Sequence, residues 1–112
     1  MTIVGRVPRT ALAGGALVRL DYPPFHVLLA LVDGAPFAIE DACNHAGASL
    51  AEGELRDGCV SCPMHGYRFE MRSGRLVEPR GLCDDQRTFV ARIDGDDVVV
   101  WDPGAGVTIV GP

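Results

Sequence analysis

Apolar and polar residues alternate over short stretches of this chain. ALVRLDY (16–22), FHVLLALV (25–32) and PFAIE (36–40) are separated by Pro23-Pro24 and by Asp33-Gly34-Ala35. Alternation punctuated by proline and glycine predicts strands, and Asp-Gly between two apolar runs predicts a hairpin. FEMR and RLVE flank Ser73-Gly74, and FVARI and DVVVW flank Asp94-Gly95-Asp96, so two further hairpins follow. GELRDGCV (53–60) reads as another. No stretch of eleven or more residues carries apolar positions at helical spacing, and 14 glycines with 8 prolines interrupt the chain too often for long helices. The expectation is an all-β fold, a small antiparallel sandwich or barrel with at most a helical turn or two.

Length and composition narrow the picture. At 112 residues, with 47% hydrophobic and 22% charged residues, the chain suits one packed domain. All ten basic residues are arginine, against fifteen acidic ones, and the formal net charge is −5. Nucleic acid is therefore not an expected partner, because phosphate binding needs a basic surface. An acidic surface does suit docking onto a basic patch of a protein partner. The apolar segment ALAGGALV (11–18) runs directly into Arg19, is too short to span a bilayer and lacks a cleavage signal, so no membrane association and a cytoplasmic location are expected. TIVG occurs at 2–5 and again at 108–111. Chance explains so short a repeat, the alternative being that the two ends pair as edge strands.

The chemistry is concentrated between Asp41 and Tyr67, which hold three of the four cysteines and two of the three histidines. The arrangement is Cys43-x-His45, sixteen intervening residues, then Cys62-x-x-His65. The 53–60 hairpin places these two pairs on loops at its two ends. A tetrahedral zinc site uses the same atoms. Zinc fingers, however, keep cysteines on one knuckle and histidines on a helix, whereas here each loop supplies one of each and no helix-forming sequence follows His65. A mixed pair on each loop suits a two-iron cluster in which the cysteines bind one iron and the histidines the other.

CNHAG (43–47) and CPMHG (62–66) resemble the two ligand loops of the Rieske [2Fe–2S] proteins, and RFEMRSGRL (68–76) and DGDDVVVW (94–101) are similar to the strands that follow in Rieske ferredoxins. The resemblance covers roughly Val7 to Asp102. It implies a Rieske-type antiparallel β-sandwich or barrel over 1–103, with a small cluster-binding subdomain at about 41–77 made of two loops on β-hairpins, and a tail or edge strand at 104–112. It implies that Cys43 and Cys62 hold one iron of a single [2Fe–2S] cluster, and His45 and His65 the other. High-potential members of the family carry a second cysteine on each loop, joined as a disulfide. Those positions are Ala48 and Met64 here. The same members place a serine hydroxyl after the second His-Gly and a tyrosine two residues on, both donating to cluster or cysteine sulfur, where this chain has Tyr67 and Phe69. Fewer such donors lower the potential, so a low-potential carrier is expected.

The function implied is that of a ferredoxin, itself not an enzyme, which passes single electrons from a flavoprotein reductase to a terminal oxygenase. Both partners would dock transiently at the His45/His65 tip. With one histidine left over, the chain cannot build the mononuclear iron site of an oxygenase, and it has no room for a nucleotide-binding βαβ unit. The small subunit of an assimilatory nitrite reductase and a zinc-binding interaction domain are the alternatives. Cys59 is expected to pack as a small hydrophobe and Cys83 to be unreactive beside its aspartates. His26 is expected to be a solvated or satisfied strand histidine rather than a ligand. Pro79 falls where the family has a third loop over the cluster, and Gly47 and Gly66 would allow close backbone approach.

Overall fold

The structure is a computed structural model describing residues 2–23, 25–42, 49–63, 66–78 and 85–104. Among the described residues ten strands form two antiparallel sheets. The larger contains β1 (Thr2–Pro8), β2 (Val18–Tyr22), β3 (Phe25–Val32), β4 (Ala35–Glu40), β9 (Thr88–Asp94) and β10 (Asp97–Asp102), in the order β1-β10-β9-β4-β3-β2. Its two edges curl toward each other, since a Cβ on Gly5 of β1 would lie 3.5 Å from the Leu20 side chain of β2. The result is a nearly closed barrel. The smaller sheet, β5 (Glu54–Arg56), β6 (Cys59–Ser61), β7 (Arg68–Glu70) and β8 (Leu76–Glu78), is a meander inserted between β4 and β9.

The hairpins fall where the sequence signals put them. Val32 pairs with Ala35 around Asp33 (φ 52°) and Gly34 (φ 80°), and Arg56 pairs with Cys59 around Asp57 (φ 53°) and Gly58 (φ 77°). Two consecutive positive φ values define the turn that Asp-Gly favours, because its twist matches that of the strands it joins.

β3 explains why FHVLLALV is continuously apolar. Val27 and Leu29 face the barrel interior with Val7, Leu12, Ala38, Phe89, Val98 and Val100. Leu28, Ala30 and Val32 point to the opposite face, where with Ile39 they meet Leu50, Val60, Phe69, Met71 and Leu76 from the smaller sheet and its approach. A strand buried on both faces loses the alternation of a half-exposed one. The smaller sheet therefore sits on the outer face of β3 and β4, directly beside the strand that leads into the first ligand loop.

The N-terminal region differs from the expectation. β2 begins at Val18 rather than Ala16, and Arg9–Gly15 form 3-10 turns whose Leu12 plugs the barrel. Gly14 and Gly15, with φ of 69° and 79°, break the run before a strand can form. The first TIVG lies in β1 and pairs with β10, Ile3 opposite Trp101. The second lies outside the described residues. No helix among the described residues is long and apolar enough to cross a membrane.

Candidate metal centre

β4 ends at Glu40, and the chain then enters the first loop. Its base is closed by a bridge between Ala42 and Ser49. Asp41 makes that closure. Its side chain, 2% exposed, accepts hydrogen bonds from Ser49 Oγ at 2.6 Å and from the Ala51 amide at 2.9 Å, and Arg19 Nε lies 3.9 Å away. Its backbone donates to the His26 carbonyl and accepts from the Leu50 amide, each at 2.8 Å. A buried carboxylate needs such donors, so the loop's two ends are fixed to one anion. Leu50, fully buried, then fastens the exit of the loop into the core shared with the smaller sheet.

The second loop follows β6. Cys62, not in a disulfide and 2% exposed, lies in that same core. Its amide donates to the Tyr67 carbonyl at 2.6 Å and its carbonyl accepts from the Gly66 amide at 3.0 Å, so the two ends of the second loop are held together. Gly66 has φ of 70°, a conformation that favours glycine, and none of the described residues lies within 4 Å of where its Cβ would be. Both loops are thus anchored by backbone hydrogen bonds to one hydrophobic core, with the 54–61 hairpin between them. Cys43, His45 and His65 lie outside the described residues, as do Gly47, Ala48, Met64, Pro79 and Cys83. Among the described residues no three metal-ligating side chains gather.

A third segment joins the two loops' supports. Asp85 Oδ1 accepts the Leu76 amide of β8 at 2.9 Å, and the Gln86 amide donates to the Gly74 carbonyl at 2.7 Å in the β7–β8 turn. Arg87 then accepts the Glu40 amide at 2.7 Å and its guanidinium binds Asp102, which also accepts the Tyr22 hydroxyl at 2.7 Å. Burial raises the Glu40 carboxyl above its ordinary value, with the Arg87 charge opposing. For Asp102 burial acts in the same direction. Hydrogen bonds from Tyr22 and Gly104 and the Arg87 cation outweigh it and hold the group below the usual carboxylate range. The Tyr22 phenol is raised, chiefly because it donates to Asp102.

The sequence profile of the Rieske [2Fe–2S] domain matches residues 8–85. The chain belongs to the Rieske [2Fe–2S] domain family. Its cofactor is accordingly a Rieske-type [2Fe–2S] cluster. The Cys62 thiol, buried and outside any disulfide, and Gly66, where no described residue would crowd a Cβ, fit that group. This Rieske chain is 40% identical over 97 residues to the biphenyl 2,3-dioxygenase ferredoxin component of Rhodococcus jostii (strain RHA1), covering 87% of this chain and 89% of that one. It is 33% identical over 96 residues to the 3-phenylpropionate/cinnamic acid dioxygenase ferredoxin subunit of Escherichia coli (strain K12), covering 81% and 85%. In fold it matches the ferredoxin of carbazole 1,9a-dioxygenase from Nocardioides aromaticivorans IC177, with a TM-score of 0.80, 24% identity, and coverage of 90% of this chain and 98% of that one.

The sequence reading missed Asp41 and Gln86. Asp41 had a local signal, an acidic residue at the end of an apolar strand two places before Cys43. Gln86 had none, because its partners are more than forty residues away. His26 lies in β3 as a strand histidine, but contrary to the expectation that it is solvated or satisfied its Nδ1 is buried, 3.4 Å from Asp21, with no hydrogen-bond partner among the described residues. Cys59 is buried, as its packing role requires.

Proposed function

We propose that this chain is a Rieske-type ferredoxin that takes single electrons from a flavoprotein reductase and passes them to a terminal non-haem iron oxygenase. The observation supporting it is that family membership goes with relatives named as ferredoxin components, which this chain matches over most of their length. In this reading Cys43 and Cys62 hold one iron as thiolates, and His45 and His65 hold the other through ring nitrogens. Bound there, the cluster supplies one-electron transfer and no bond chemistry.

The remaining work belongs to the chain's own residues. Asp41 and the core around Leu50 and Cys62 fix the loop bases, which keeps the ligands at one geometry in both oxidation states. Little rearrangement is then needed when charge arrives. The two histidines form the docking tip for both partners in turn, which calls for weak association that salt weakens further. Tyr67 is buried and Phe69 lies fully within the core. Where high-potential relatives carry a serine and a tyrosine, this chain has Tyr67 and Phe69, and in this reading the potential belongs near the low end of the Rieske range, on the order of −150 mV.

A redox titration followed by EPR of the dithionite-reduced protein tests the reading. A rhombic Rieske spectrum with a midpoint in that low range is expected. A midpoint above about +100 mV contradicts the account of the missing donors. A colourless protein containing zinc after anaerobic preparation overturns the electron-carrier reading, and tight co-purification with a large haem- or flavin-bearing subunit would replace a free carrier with a fixed reductase subunit.

A further inference from the structure

Gln86 occupies the point where the chain leaves the smaller sheet and rejoins the barrel. Its backbone turns toward the smaller sheet, with the amide donating to Gly74. Its side chain, in a residue only 3% exposed, turns the other way. There Nε2 donates to the Glu40 carbonyl at 2.9 Å and to the Ala42 carbonyl at 2.6 Å. Both partners are acceptors, so the NH₂ end of the amide must face them, and each of its two hydrogens has one carbonyl. Carbonyls two residues apart on an extended chain point the same way. The side chain thus prolongs the β4–β9 ladder beyond the point where the backbone has left it, since Ile39 pairs with Thr88 and Glu40 donates to Arg87 just before.

Two features make this contact more than a local cap. Ala42 immediately precedes Cys43. The first loop is built on the barrel strand β4, whereas the second lies between β6 and β7 of the smaller sheet, so the distance between ligand pairs depends on how the two sheets are held together. Gln86 bonds both at once. Asp41, by contrast, ties the two ends of the first loop to each other.

We propose that Gln86 is a positioning residue for the [2Fe–2S] cluster, fixing the backbone before Cys43 relative to the sheet that carries Cys62 and His65. The inference rests on the reading of Cys43, His45, Cys62 and His65 as the ligands. Replacing the amide with a group of similar length and no donors leaves two partly buried carbonyls without this partner and frees residues 40–42 to shift.

The test compares Q86M, and Q86N whose amide is one methylene short, with Val98→Ala, a cavity variant in the barrel core remote from the loops. For each, thermal stability, the EPR spectrum, the midpoint potential and the rate of cluster bleaching are measured. Q86M is expected to change the g values and the potential and to bleach roughly ten-fold faster, toward the lower end of what outer groups around a metal contribute. Q86N is expected to fall between Q86M and wild type. Val98→Ala is expected to lose stability with spectrum and potential unchanged. If Q86N, and Q86M where it folds, retain the wild-type spectrum and potential while losing only stability, as Val98→Ala does, Gln86 is a structural residue and the assignment is wrong. A wild-type protein that carries no cluster overturns the ligand reading and this assignment with it, a failure visible before any variant is made.

Discussion

Arg87 stands between two carboxylates whose titrations act on stability in opposite directions. Asp102 is 6% exposed and held below the usual carboxylate range by Tyr22, Gly104 and Arg87 against the effect of burial. A depressed carboxyl stabilises the fold above its unfolded value of about 3.9, and that contribution is lost as pH falls through the lower folded value. Glu40 is raised by burial, with Arg87 only partly offsetting it. Its contribution is present below the unfolded value of about 4.3 and lost as pH rises through the folded value, so at pH 7 its charge is a net cost. Melting curves of D102N and E40Q between pH 3 and pH 8 should separate the two. D102N loses about 1.5–3 kcal/mol at pH 7, the range for hydrogen bonds to charged groups, and the deficit narrows below about pH 4. E40Q is as stable as wild type or more so at pH 7, and the difference closes on acidification. An E40Q protein that melts lower than wild type at pH 7 would show that Glu40 has a stabilising partner that the burial argument leaves out.

At the scale of elements, the β7–β8 turn shows how tightly the smaller sheet is locked to the barrel. Gly74 has φ of 72°, and a Cβ there would lie 2.3 Å from the Gln86 carbonyl oxygen and 3.1 Å from Thr88 Cγ2. Gly34 has a similar φ of 80° with nothing within 4 Å. The pair separates backbone strain from crowding. G34A should cost about 1 kcal/mol from the left-handed conformation alone, and G74A about 3 kcal/mol once overpacking is added, both read from urea unfolding. Equal losses would mean that the turn relaxes away from Gln86. The same elements show what a sequence can and cannot reveal. Asp33-Gly34 and Asp57-Gly58 determine their hairpins through neighbouring residues alone, so both were legible. Cys43, His45, Cys62 and His65 stand out as candidate ligands because four residues of unusual chemistry recur at short spacings, and three of them lie outside the described residues. β1 was not, because its pairing with β10 joins the two ends of the domain. FHVLLALV was readable as a strand, but only the second sheet packed on its outer face explains its lack of alternation. Gln86 was invisible because a buried amide bridging two sheets follows no local pattern.

For the whole molecule, β3 divides the interior into two cores of unequal independence. The inner core is enclosed by six strands of five to eight residues that nearly close on themselves. The outer core is covered by four strands of three residues each, and Leu50 after the first candidate loop and Cys62 at the start of the second belong to it. Short strands leave much of their backbone within one hydrogen bond of an end, so the smaller sheet opens at lower free energy than the barrel. A cluster bound across both loops binds the closed form and stabilises it by linkage. Hydrogen exchange should therefore show two tiers in the cluster-loaded protein, with β3, β9 and β10 slowest and residues 54–78 faster. Stripping the iron anaerobically with a chelator should widen the gap, since protection at β5 to β8 falls while barrel protection changes little. Val60 and Phe69 report the first change, and Leu29 and Val100, within the inner core, report the second. A uniform loss of protection across both groups would mean that the two cores unfold as one unit and that the cluster stabilises the barrel as much as the sheet that carries its second loop.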